Sequence, residues 1–267
     1  MRNINLSDAQ YLAPSPPKNL VRLGGKHDGG YVVDKAAAVS SACLVSFGIS
    51  YDLQFEYEFA SLSKFEKRVY MYDKSTVPIS LGKMRRCVLQ CFYFRSPRPL
   101  INYSRFIFMF KKLIRHESQL KRLNISNVEQ LGCTTLPEVL SSITEQNRVF
   151  LKLDIEGDEY LIFDDIIANI KKIYALVIEL HDITHHWREI ECFIAALRDD
   201  GLLIDHLHAN NYGGLADDGR PNVIEMSFSR IDDREPAVSR LPMINLDAPN
   251  TPLREDYTIL FHQSIEN

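Results

Sequence analysis

The chain has no C-x-x-C pair, no G-x-G-x-x-G turn and no apolar run of 18 residues, and each absence removes a class of protein. Its five cysteines (Cys43, Cys87, Cys91, Cys133, Cys192) are odd in number and scattered. That argues against a disulfide framework or a zinc ribbon and for a reducing, cytoplasmic compartment. Without a long apolar run no membrane span is expected, and residues 1–20 hold no apolar stretch of the kind that directs export. The formal charge is only −4 over 267 residues, so no general nucleic-acid partner is expected. The missing glycine fingerprint takes support from a nicotinamide dinucleotide. There is no internal repeat and no low-complexity tract.

What remains is the composition of an ordinary globular protein, 45% hydrophobic and 25% charged, at a length that fits one α/β domain with insertions. Residues 1–20 carry Pro14, Pro16 and Pro17 and read as an irregular arm. After them strands and helices alternate. Strands are expected at 42–48, 68–75, 126–132, 149–155, 173–180, 202–209, 222–229 and 257–262. Helices are expected at 53–63, 135–147, 159–170 and 187–201. In the second of these, Thr135 is the N-cap, Pro137 lies in the first turn and Glu138 stands three residues after the cap. Alternation at this spacing implies βαβ units and a mostly parallel sheet.

Residues 78–124 break the rhythm with a stretch rich in aromatics and in Lys and Arg. The plainer reading is a cover whose aromatics are core and whose cations are a solvated face. The sharper one is a substrate lid whose cations meet an anionic group such as a nucleotide-sugar diphosphate.

Ligands of an open parallel sheet sit beyond the carboxyl ends of its strands, and the unusual clusters fall there. Gly48 follows the first strand, and Asp73 closes the second, about where an acid binds ribose hydroxyls in nucleotide-binding sheets. "FLKLDIEGDEYLIF" (150–163) turns from a buried strand to four acids around Gly157. Asp158 and Glu159 suit a helix start, where the macrodipole favours anions. Asp154 and Glu156 face the crevice and are candidates for catalysis or metal binding. The next strand ends deliver Glu179 with His181, and His206 and His208 with Asn210 and Asn211. Such a set offers either oxygen ligands for a divalent cation, at Asp154 and Glu179, or a general base for a hydroxyl, at His208 or His181. His185, His186 and Trp187 read only as a helix start, and residues 213–222 as a solvated loop.

These residues carry a resemblance. "FLKLDIEGDEYLIF" resembles the signature of the FkbM-type methyltransferases, which use S-adenosylmethionine. "RLGGKHDGGYVV" (22–33) is similar to the opening segment of that family's sugar-modifying branch, "SFGISYDLQFE" to its cofactor turn and "VYMYD" to its ribose acid. "TTLPEVL", "HLHANN" and "PNVIEMSF" are similar to later segments, so the likeness spans residues 22–261 apart from the insert. The resemblance implies a Rossmann-like class I methyltransferase fold, a mostly parallel seven-stranded sheet with helices on both faces. It implies a single domain with an arm over 1–20 and a cover or lid over 78–124. Cofactor contacts are implied for Asp28, Gly48, Ser50, Tyr51, Asp52, Asp73, Lys74 and Asp154, with Lys26 and His27 close by. The implied reaction is O-methylation of a sugar, nucleotide sugar or glycan, with His208, His181 and Asp154 as catalytic residues. A Mg²⁺-like ion at Asp154 and Glu179 is an optional addition, and a homo-oligomer is compatible with the pattern. An acidic motif after an apolar strand also resembles that of metal-dependent nucleotide-sugar glycosyltransferases, which is the competing reading. A protein with a degenerate cofactor site is the third.

Overall fold

Seven strands make the central sheet: β1 (Cys43–Phe47), β2 (Val69–Tyr72), β3 (Gln119–Lys121), β4 (Val149–Leu153), β5 (Ile173–His181), β6 (Leu203–Ala209) and β7 (Val223–Ser229). Their order across the sheet is β3-β2-β1-β4-β5-β7-β6. All neighbours are parallel except β7, which is antiparallel to both β5 and β6. Without β7, the order is the 3-2-1-4-5-6 winding of doubly wound nucleotide-binding sheets. With it, the sheet has the Rossmann-like class I methyltransferase arrangement expected from the sequence. The computed structural model describes residues 2–143, 147–243 and 245–261.

The sheet is buried on both faces because its apolar runs alternate between two cores. Val45, Phe47, Leu151 and Leu153 pack on one side with α5 (Leu136–Ser142), α6 (Phe163–Ala168) and α7 (Trp187–Asp199). Leu44, Met71, Phe150 and Val177 pack on the other with α1 (Lys35–Ser40), α2 (Gln54–Leu62) and α4 (Arg98–Arg115). Near-continuous hydrophobic strands are what burial on both faces requires. α5 begins as expected, with Thr135 accepting from the Glu138 backbone and Glu138 accepting from that of Thr135. The helix ends at Ser142, short of the expected 147; residues 144–146 and the expected strand's last residue, His262, lie outside the described residues.

Three expectations need correction. The third central strand is residues 119–121, not 126–132, where Val128 and Leu131 point into solvent instead of alternating into the sheet. The arm is not wholly irregular, since Arg2–Asn5 pairs in parallel with Tyr257–Leu260 in a separate small sheet. Residues 159–170 are not one helix but a 3₁₀ turn (Glu159–Ile162) running into α6.

The insert forms a helical hairpin, α3 (Leu81–Tyr93) and α4, before β3. Tyr103, Phe106, Met109 and Leu113 recur on one face of α4 and are buried against the α2 side of the core. None of the insert's cations lines the cavity described next, so the lid reading gains no support. Among the described residues, no helix is long and apolar enough to cross a membrane.

Candidate active site

The carboxyl ends of β1, β2, β4, β5 and β6 open into one cavity of about 840 Å³, within the range of small-ligand sites. It lies where the winding reverses between β1 and β4. Gly48 is there for a steric reason. At φ +75°, a Cβ on it would sit 1.5 Å from the Asp154 carbonyl oxygen, so only glycine lets these two strand ends lie together. The turn is tied to β2 by Asp73. Its Oδ2 accepts the Ser50 N–H at 2.6 Å, and its Oδ1 accepts from the Ser75 and Thr76 backbone and the Ser75 hydroxyl. Oδ2 keeps acceptor capacity toward the cavity.

The stretch from Phe150 to Phe163 resolves into two buried assemblies and an exposed tip. Lys152 is buried 3.7 Å from Glu56, which also accepts from Ser46 at 2.5 Å. Burial alone would lower the Lys152 ammonium, but Glu56, Asp154 and Glu179 outweigh it and hold the lysine above its ordinary value. Beyond Leu153 the chain passes Glu156 at φ +60° and Gly157 at φ +111°. This tight turn is held from beneath by Glu159, which is fully buried. Its Oε1 accepts the Ile155 and Gly157 N–H groups at 3.2 Å and contacts His181 Nδ1 at 3.0 Å. Burial opposes protonation of His181, yet Glu159, Glu179 and Asp154 raise its pKa to about 9. At neutral pH it is a cation.

Opposite stands the hairpin Leu20–Gly24 and Gly30–Asp34, whose tip carries Lys26, His27 and Asp28. Arg22 holds the tip by donating to the Gly25 and His27 carbonyls, both at 2.9 Å, while His27 Nδ1 lies 2.7 Å from the Pro249 carbonyl. Three residues beyond Asp28, Tyr31 reaches back into the site. Its hydroxyl lies 2.9 Å from Asp154 Oδ2 and 3.0 Å from Glu179 Oε2, and Asn210 donates to the other Glu179 oxygen at 2.8 Å. Burial, with Glu225 and Asp154, pushes Glu179 well above the usual carboxylate range. Burial, with Glu225 and Asp154, also raises Asp28, although Asp28 stands open to the cavity.

No protein-family model and no curated protein matches this chain. Among solved structures, it aligns with a precorrin-6y C5,15-methyltransferase from Geobacter metallireducens GS-15 at TM-score 0.36 and 14% identity, over 73% of this chain and 87% of that one. It aligns with a methyltransferase structure from Thermoplasma acidophilum at TM-score 0.34 and 7% identity, over 72% and 69%. At these scores neither likeness adds to what the strand order and the cavity show.

Of the residues singled out in the sequence, Asp28, Gly48, Ser50, Tyr51, Asp52, Asp73, Asp154, Glu179 and His181 all line the cavity. Lys74 and His208 do not. Lys74 lies outside with its ammonium against Gly132. His208, expected as a general base, is 3% exposed and held between Asp256 at 3.2 Å and Glu225 at 3.4 Å. Burial opposes its charge, but those two carboxylates raise its pKa to about 10, so it serves as a buried cation joining β6 to the chain around Asp256. His206 is buried likewise against Asp247. The metal expectation at Asp154 and Glu179 finds no support: Tyr31 contacts Asp154 Oδ2 and Glu179 Oε2, and Asn210 donates to Glu179 Oε1. Among the described residues no group of three or more His, Cys, Asp and Glu is placed to hold an ion. In the sequence, Glu159 reads only as a helix-start acid and Tyr31 carries no functional mark. Glu159 was visible as the acid followed by Tyr160 and Leu161; the Tyr31 contact, 148 residues from Glu179, left no local signal.

Proposed function

We propose that this chain is an S-adenosylmethionine-dependent O-methyltransferase of the FkbM-type sugar-modifying branch, acting on a hydroxyl of a sugar, nucleotide sugar or glycan. The observation that supports it best is the charge of the cavity. Asp28, Asp52, Glu56, Asp73, Asp154, Glu156, Asp158 and Glu179 line it, against His181 and a Lys152 already paired with Glu56. A ligand carrying a sulfonium and an ammonium is attracted to such a cavity; a glycosyltransferase must seat its donor's diphosphate inside it, where the acids repel that group unless a metal offsets its charge, whereas a nucleotide-sugar acceptor need place only its reacting hydroxyl there. The glycosyltransferase reading is therefore disfavoured.

The residues fit the cofactor at three points. Asp73 would accept ribose hydroxyls, the Gly48–Ser50 turn leaves its backbone close to the cavity, and Asp154 would balance positive charge. When bound, S-adenosylmethionine supplies a methyl group already activated by its positive sulfur. The protein's part is to align an acceptor oxygen, take its proton and exclude water. With His208 enclosed and His181 already protonated, we assign the proton acceptor to Asp28. It faces the cavity from the hairpin tip, and its raised pKa makes it a better base than an ordinary carboxylate. Tyr31 and Asn210 hold Asp154 and Glu179 in place, leaving hydrogen-bond acceptors for a polyhydroxylated substrate.

The test is methyl transfer from labelled S-adenosylmethionine to a panel of sugars, nucleotide sugars and glycan termini. Wild type should label at least one. Asp28→Asn should lower kcat by about 10²–10⁴-fold, far more than it weakens cofactor binding. Full turnover in Asp28→Asn would remove it from the role, and label found on a nitrogen or carbon of the product rather than on a hydroxyl oxygen would overturn O-methylation.

A further inference from the structure

Leu81, Met84, Val88 and Phe92 recur along α3 at the spacing that ordinarily turns an apolar stripe toward a core. Here all four are exposed. Cys87 is the helix's buried residue. The helix's last residue, Tyr93, 83% exposed, and Phe94 just beyond it add to the stripe, and the outer face of α4 adds Ile101 and Phe108. Exposed apolar surface of this extent on one hairpin marks a contact surface rather than scatter.

The charge around it is one-sided. Residues 79–116 hold nine of the chain's 31 Lys and Arg residues and none of its 35 Asp and Glu residues. A near-neutral total thus conceals a strongly basic hairpin on an acidic body. Arg85 lies within the apolar stripe of α3, and Arg105, Lys111 and Arg115 share the outward side of α4 with Phe108. The hairpin is rooted at the cavity rim. Lys83 sits 3.6 Å from the ring centre of Tyr51, a cavity residue, and the Tyr51 hydroxyl accepts the Val77 N–H at 3.3 Å.

We propose that the α3–α4 hairpin docks on the surface of an anionic phospholipid bilayer, its apolar side chains entering the headgroup boundary and its cations meeting lipid phosphates. An amphipathic helix with Lys and Arg beside Phe and Leu lies in that interface, and each cation adds affinity for anionic lipid. A second copy of the chain fits poorly, because nine cations would face nine others. RNA fits poorly because much of the exposed surface is aliphatic and offers no platform for base stacking. Docking would bring the cavity rim to the bilayer whether or not the cavity holds the cofactor proposed above.

The test is sedimentation of the full chain with vesicles of phosphatidylcholine alone and of phosphatidylcholine with phosphatidylglycerol. Wild type should bind the anionic vesicles at least tenfold more tightly, with the preference falling as salt shortens the Debye length. Arg85→Glu/Arg86→Glu should weaken binding at least tenfold, since each Lys or Arg near the surface contributes about fivefold. Phe92→Ser/Phe94→Ser should abolish the binding that survives high salt. These side chains are solvent-exposed, and the thermal midpoint of each variant, followed by far-UV circular dichroism, reports separately on the fold of the body. Equal binding to both vesicle types, binding untouched by either variant, or retention on homopolymer RNA without vesicle binding would overturn the proposal. So would a dimer in solution that the Phe92→Ser/Phe94→Ser change dissociates, with no vesicle binding by wild type.

Discussion

Two histidines show how much a residue's neighbours decide. An imidazole near a strand end reads as a base at neutral pH because its ordinary pKa is about 6.5. In this protein both His181 and His208 are raised, to about 9 and about 10, by the carboxylates around them. Each binds its proton more tightly folded than unfolded. The stability each contributes is therefore fully present below about pH 6.5 and is lost as pH rises through 9 to 10. Urea midpoints measured from pH 6 to 9.5 should fall for wild type. His208→Gln should be less stable at pH 6, with a shallower decline. A variant as stable as wild type at pH 6 would show that His208 is not the buried cation its contacts imply. Tyr31, Asp154 and Glu179 make the complementary point: a hydroxyl between two carboxylates orders the acids that face the cavity, across 148 residues of sequence.

Elements were legible where their signals are local. The capping box at Thr135 and Glu138 fixed the start of α5 to the residue, and the structure closes both of its hydrogen bonds. Thr135→Ala should cost about 1 kcal/mol, readable as a lower thermal midpoint; an unchanged midpoint would mean the cap contributes nothing in context. β1, β4 and β5 were equally plain, since strands buried on both faces are near-continuous apolar runs. β3 was not. Its Gln119–Lys121 is short and polar because it is an edge strand, specified by backbone pairing with β2 rather than by its own side chains. The pairing of Arg2–Asn5 with Tyr257–Leu260 was hidden for the same reason, joining the two ends of the described chain. The hairpin of α3 and α4 was legible as an interruption but not as an apolar face turned outward. Helical periodicity shows that a stripe exists, not which way it points.

Taken whole, the molecule places its chemistry by topology. The reversal of winding between β1 and β4 opens the crevice, Gly48 lets the two strand ends meet, and Asp73 closes the turn from β2. The acidic cavity and the basic hairpin then divide the chain's charge between a site for a cationic ligand and a surface for an anionic one. The first of these is the central claim, and binding tests it without knowledge of the acceptor. Thermal unfolding and calorimetry should be run with S-adenosylmethionine and S-adenosylhomocysteine, on wild type and Asp73→Ala. A ligand at 100 times its Kd should stabilise wild type by about 2.7 kcal/mol, a rise of several degrees, with the shift lost in Asp73→Ala. No heat and no shift with either adenosyl ligand, alongside stabilisation by a sugar nucleotide with Mg²⁺ or Mn²⁺, would contradict the account.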